Sequence, residues 1–273
     1  MTAIRTDRHE NVIASLIGQG MGVVVLAPHL GDAALSCGAL LTYAVSRTPV
    51  TVVTFFTEGG QAPYARSARR YLRQVGARDA AVAYRWRRDE DRAALEPLGI
   101  RCVHAGLTEA LFRRRPANLI RTRHTHVWPF YRVHVTSGRI VAADAGMLRE
   151  VREIIHRVAG SGVNLVLAPL GVGGHVDRML VRTAAQGSGG PVAYYRDVPG
   201  GRRDPAAEAF IYRHDLVETR WPWPEPGEAK AELIRTYGSL TGKRLRSAGE
   251  PLAPEVFFSA ARPAATASSA WWR

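Results

Sequence analysis

Lysine is almost missing from this chain of 273 residues. Lys230 and Lys243 are the only two, so the formal charge of +13 is carried by arginine. A skewed genome composition can produce that bias, and the arginines are scattered apart from the short run Arg113-Arg114-Arg115. No helix-turn-helix, zinc-finger or RNP-type aromatic pattern accompanies them. Nucleic acid is therefore not the expected partner, although a basic surface attracts polyanions in general. A small, anionic substrate is the more specific use of the charge. Cysteine is as scarce: Cys37 and Cys102 alone cannot make a disulfide framework or an all-cysteine metal site. No apolar run reaches the roughly 18 residues of a membrane span. Met1 to Glu10 is polar, with no signal-peptide apolar stretch behind it, so a cytoplasmic location is expected. There is no internal repeat and no linker-like boundary. The expectation is one domain over residues 1–260, long enough to bury a full core, followed by a loose tail at 261–273.

What is present is an alternation of short Val/Leu/Phe runs with helical patterns, which points to an α/β fold with a mostly parallel sheet. Strands are expected at Gly22–Ala27, Val50–Phe56, Arg101–Ala105, Asn164–Ala168 and Val192–Tyr195. Helices are expected at Glu10–Ile17, Asp32–Val45, Arg88–Leu98, Asp144–Val158, Val176–Ala185 and Glu228–Tyr237. Leu107 to Gly138 fits neither period and is long for a plain connection, so it reads as a functional loop. Trp221–Pro226 reads as a surface turn or an extended linker inside the domain.

In open parallel sheets, ligands bind beyond the carboxyl ends of the strands. Two of the expected strands run into polar, glycine-rich turns that carry His29 and Asp32 in one case and His175 and Asp177 in the other. Histidine and aspartate in this pattern suit zinc, which needs three protein ligands and an open position for catalysis. The same pattern also suits a helix N-cap at Asp32 and a backbone-bonded His29. Spacing leaves both readings open. Glu58, before Gly59-Gly60, falls on the same sheet edge, and the long loop offers Glu109, Arg123, His124, His126 and Trp128 as substrate contacts.

The two turns carry more than spacing. Residues 28–41, Pro-His-Leu-Gly-Asp-Ala-Ala-Leu-Ser-Cys-Gly-Ala-Leu-Leu, resemble the first signature of the PIG-L (LmbE-like) N-deacetylases. Residues 169–178, Pro-Leu-Gly-Val-Gly-Gly-His-Val-Asp-Arg, resemble the second. Weaker echoes lie at Arg88-Asp89-Glu90-Asp91, Leu107-Thr108-Glu109-Ala110, Tyr194-Tyr195-Arg196-Asp197 and Lys230 to Tyr237. The resemblance implies a Rossmann-like three-layer sandwich and zinc-dependent hydrolysis of an N-acyl group. It implies His29 and Asp32 as zinc ligands, His175 as the histidine assisting the oxyanion or leaving group, and Asp177 as an orienting carboxylate.

Two positions depart from that pattern. Gly31 stands where the family has its general base, and Arg178 where it has the third zinc ligand. Glycine cannot take a proton, and arginine stays protonated and does not bind zinc. Arg178 is therefore expected to pair with Asp32 in a pocket without a cofactor. The corresponding function is metal-independent acid–base chemistry on a small polar metabolite, of cyclase, lyase or transferase type, with His175, Asp177 and Arg178 as catalytic groups. The alternatives are a zinc-dependent amide hydrolase whose metal site has been rebuilt, and a non-catalytic ligand- or partner-binding protein.

Overall fold

A computed structural model describes residues 11–113, 135–160, 164–199, 204–221, 226–239 and 253–260. Arg123, His124, His126, Trp128 and residues 261–273 lie outside the described residues. The strands are β1 (Gly22–His29), β2 (Val50–Phe56), β3 (Arg101–His104), β4 (Asn164–Pro169), β5 (Val192–Tyr195), β6 (Leu216–Arg220) and β7 (Val256–Ala260). The described helices are α1 (Val12–Gly18), α2 (Asp32–Ala44), α3 (Arg66–Gln74), α4 (Ala80–Leu95), α5 (Ala145–Ala159), α6 (Val176–Ala185), α7 (Pro205–Arg213) and α8 (Pro226–Arg235).

The seven strands form one sheet in the order β3-β2-β1-β4-β5-β7-β6. The first five are parallel, and β7 runs antiparallel to both β5 and β6. Strand order reverses between β1 and β4, which opens a crevice at their carboxyl ends. The continuous apolar run of β1 follows from its central place. Val23, Val25 and Ala27 enter one core with Leu40, Leu95 and Phe257, while Val24 and Leu26 enter the other with Phe55, Leu180 and Phe258. At roughly 25 cal/mol per Å² of apolar area, burial on both faces makes this strand a hydrophobic anchor of the sheet.

The five expected strands are all present, but β6 and β7 were not expected. The sequence LVETR of β6 is only half-buried and shows little of the alternation that marks a strand. Helix α3 has no clear sequence pattern either, because RSARRYLRQ buries only Ala68 and Leu72. Helix α4 starts at Ala80 rather than Arg88, because Asp79 caps it by accepting hydrogen bonds from the amides of Ala81 and Val82 at 2.8 and 3.2 Å. Trp221 is buried rather than on a surface turn, edge-on to Tyr43 at 5.2 Å.

One of the two lysines has a structural role. Lys230 Nζ lies 2.9 Å from Glu255 Oε1, and both side chains are buried. Glu255 also accepts hydrogen bonds from the amides of Ala39 and Leu40, so it joins β7 to the middle of α2. Gly38 lets the lysine stem pass, since a Cβ there would stand 3.0 Å from Lys230 Cγ. Removing one partner strands a buried charge. Glu255→Ala should lose about 3–5 kcal/mol of unfolding free energy, and Lys230→Met with Glu255→Leu should lose less. Equilibrium denaturation checks the order of the two.

Candidate active site

The crevice between β1 and β4 receives the two signature turns. His29 is the last residue of β1. Gly31 follows with φ 87°, a left-handed conformation that glycine adopts without strain, and turns the chain into α2 at Asp32. The Gly31 amide donates to Asp91 Oδ1 at 3.1 Å. Asp91 is buried and also accepts from Tyr237, His104 and Thr54, so a fully bonded carboxylate fixes the turn from behind. On the other side of the crevice, His175 is the N-cap of α6, and Asp177 lies in its first turn.

Asp32 and Asp177 flank the His29 ring. Asp32 Oδ2 lies 3.2 Å from Nδ1 and also accepts the His29 amide at 3.1 Å, while Asp177 Oδ2 lies 3.2 Å from Nε2. Asp177 Oδ2 accepts a further hydrogen bond from the Ala110 amide at 2.9 Å. Arg113 Nη1 is 2.6 Å from Asp177 Oδ1, a charge contact rather than a well-aligned hydrogen bond. The His175 ring stands edge-on to His29, with ring centres 4.9 Å apart.

This arrangement differs from the expectation in two respects. First, Arg178 does not pair with Asp32. Its Nε lies 3.3 Å from Asp197 Oδ1 and its Nη1 donates to Val172 O at 2.9 Å, so it reaches Asp32 only as a more distant charge. Asp197 also accepts the Gly171 and Val172 amides and draws the guanidinium away. Second, the group of potential metal ligands that comes together is His29, His175 and Asp177, with one ligand atom from each within 4.8 Å of the others. Asp32 is instead the hydrogen-bond partner of His29, as carboxylates behind metal-bound histidines commonly are. Asp177, expected as a catalytic group, sits at the centre of the cluster.

Glu109 and Glu58 line the same edge. Glu109 accepts a short hydrogen bond from Tyr84 and lies 3.6 Å from Arg87 Nη1. Glu58 pairs with Arg88, and its carbonyl accepts the Glu109 amide at 2.9 Å. Gly59 and Gly60 serve close packing here: a Cβ on Gly60 would stand 2.7 Å from Phe112 O. Arg113, Asp91, Asp197 and Arg87 were not singled out as site residues from the sequence. The arginines carried no signal, because charged side chains at such positions usually point to solvent.

The electrostatics follow from the geometry. Burial alone would discharge His29, but hydrogen bonds with Asp177 and Asp32 outweigh it and raise its pKa to about 10. Burial would raise Asp177, yet its bond to His29 and the charge of Arg113 hold it at about 2. Burial and the neighbouring His29 charge lower His175 to about 4, so that ring is neutral. With Nδ1–H given to Asp32, the His29 Nε2 faces a carboxylate oxygen and needs a positive partner, either a proton or a metal ion. A His29 pKa raised above the unfolded value of about 6.5 adds stability that is complete below that pH and is lost as pH rises through the folded value. In metal-free protein, NMR should show the His29 ring still protonated at pH 8, with its titration near the value of about 10. A midpoint near 6.5 would contradict the double carboxylate clamp.

Comparison with known proteins agrees with this architecture. The family model described as PIG-L: GlcNAc-PI de-N-acetylase matches residues 24–186, more than half of the chain and both signature turns. The 2′-N-acetylparomamine deacetylase of Streptomyces fradiae is 31% identical over 189 residues, covering 66% of this chain and 58% of that protein. The chain thus spans less than two thirds of the length of this curated relative. Among solved structures, the zinc-inhibited form of teicoplanin deacetylase superposes with a TM-score of 0.67 at 23% identity, covering 87% of this chain and 97% of that one. The 4-carboxy-2-hydroxymuconate hydratase of Pseudomonas putida shares the fold at a TM-score of 0.51 and 16% identity, covering 92% of this chain and 100% of that one. The fold alone therefore does not fix the reaction. The match across both signatures establishes that the chain belongs to the PIG-L family.

Proposed function

We propose that the protein hydrolyses an N-acyl group on an amino-sugar-containing small molecule, with a divalent metal held by His29, His175 and Asp177. The observation that carries this reading is the convergence of these three side chains at the crevice where the sheet reverses direction. Two neutral imidazoles and a carboxylate form a donor set that suits zinc. The His29 and Asp177 atoms 3.2 Å apart are both acceptors once the ring is neutral, which is an arrangement a cation satisfies. The amino-sugar substrate class follows the Streptomyces fradiae relative. These considerations favour deacylation over the metal-independent chemistry expected from Gly31 and Arg178.

A bound metal would supply Lewis-acid polarisation of the acyl carbonyl and a more acidic water. The protein's own residues do the rest. Asp32 holds the His29 ring by Nδ1, and Arg113 and the Ala110 amide hold Asp177. Arg178, tied to Asp197 and Val172, keeps the second turn in shape. With no carboxylate at residue 31, Glu109 is the proton acceptor. Its charge acts on both His29 and His175, and Tyr84 and Arg87 fix its position. Substrate is proposed to enter from the side of Glu58 and Arg113. Arg123, His124, His126 and Trp128, outside the described residues, are proposed as substrate contacts.

Zinc-loaded protein should release acetate from 2′-N-acetylparomamine or a related N-acetylated amino sugar. Asp177→Asn should reduce turnover by at least about a hundredfold, and Glu109→Gln should lower kcat with little change in KM, within the range of about 10²–10⁴ for a lost general base. No acetate from any N-acetyl sugar by zinc-loaded protein, alongside turnover in chelator, would return the metal-free alternative.

A further inference from the structure

Residues 66–85 hold a concentration of charge that neither the fold nor the site uses. Arg66, Arg69, Arg70, Arg73, Arg78 and Arg85 stand there against the single acid Asp79, a net of +5 out of the chain's +13. All six arginines are exposed, and among the described residues none forms an ion pair. Asp79 is occupied by the Tyr64 hydroxyl and by its own helix cap. On α3 the spacing is helical: Arg66, Arg69, Arg70 and Arg73 fall at i, i+3, i+4 and i+7 and so form one outward stripe about 10 Å long. The opposite face is anchored, with Ala68 and Leu72 buried against Leu30, Tyr84 and Phe112. Four unpaired like charges along one helix repel one another, a cost that a neutral surface would not carry.

The stripe is coupled to the site. Tyr71 of α3 accepts a hydrogen bond from Arg87 at 2.8 Å. Arg87 in turn donates to the carbonyl of Leu30, next to His29, at 3.1 Å, and it pairs with Glu109. One guanidinium therefore joins the base of the basic helix to the wall of the pocket. On α3 itself Tyr71 is turned inward to Arg87, and the exposed aromatic nearest in sequence, Trp86 beside Arg85, belongs to α4. Among the described residues α3 therefore offers charge without the row of stacked rings that single-stranded nucleic acid uses.

We infer that the outer face of α3 docks an acidic protein surface, a partner with carboxylates at helical spacing, placed so that it can present a substrate to the crevice. The inference is independent of the reaction proposed above. Complementary charge at such a rim acts mainly on orientation and encounter rate and weakens with salt.

The probe is an alanine-rich helical peptide of about 18 residues with glutamates at i, i+3, i+4 and i+7. Two variants with the same charge change are compared with wild type by fluorescence anisotropy. One is R66Q/R69Q/R70Q/R73Q, in which glutamine keeps helix propensity close to that of arginine. The other is R149Q/R152Q/R157Q/R213Q, which removes four exposed arginines elsewhere. Circular dichroism confirms that both fold. The stripe variant should lose about tenfold or more in affinity and most of the salt dependence, and the control variant less than about threefold. Equal losses in both would mean that only net charge matters and would overturn the inference. Tighter binding of a single-stranded oligonucleotide through the same four arginines would overturn the choice of an acidic protein.

Discussion

The His29 ring, held between two carboxylates, is the contact on which the site depends. Asp32 comes from the start of α2 and Asp177 from the start of α6, so one imidazole joins the turns that leave β1 and β4. Several polar groups nearby support that contact. The Ala110 amide and Arg113 fasten Asp177, Asp91 fastens the turn at Gly31, and Asp197 removes Arg178 from the carboxylates it would otherwise neutralise. Burial raises the stakes, because an unpaired charge at such depth costs several kcal/mol.

Gly31 and Arg178, the two positions read as departures from the family signatures, each have a local structural role. Gly31 adopts a backbone conformation in which a side chain is strained, and its amide is committed to Asp91. Arg178 occupies a position from which it organises the Gly171–Val172 turn through Asp197 and the Val172 carbonyl. Arg178 in that role is compatible with the proposed metal site at His29, His175 and Asp177. On this view Asp32 acts as the outer partner of His29 and not as a ligand.

Much of the architecture was legible in the sequence, and for a physical reason. Strands β1, β2 and β4 are buried on both faces, so they read as unbroken apolar runs. Strand β6 and helix α3 are largely exposed, and composition says little about an element whose face toward the core is two residues wide. For the site, the motif residues His29, Asp32, His175 and Asp177 were visible because their types and spacing are unusual. Which of them face one another depends on the register of β1 against β4 and on how two turns lean over the crevice. Pairings such as Arg113 with Asp177 or Arg178 with Asp197 are long-range or compete with closer acids, and no local pattern announces them.

The ligand set itself is the central claim, and calorimetric zinc titration of chelator-treated protein tests it most directly. The account predicts one zinc per chain in the wild type, no measurable binding in His29→Gln or Asp177→Asn, and binding weakened by only about 10–100-fold in Asp32→Asn, as for the loss of an outer partner. Abolished binding in Asp32→Asn together with intact binding in Asp177→Asn would contradict it and return the metal to the ligands expected from the family pattern.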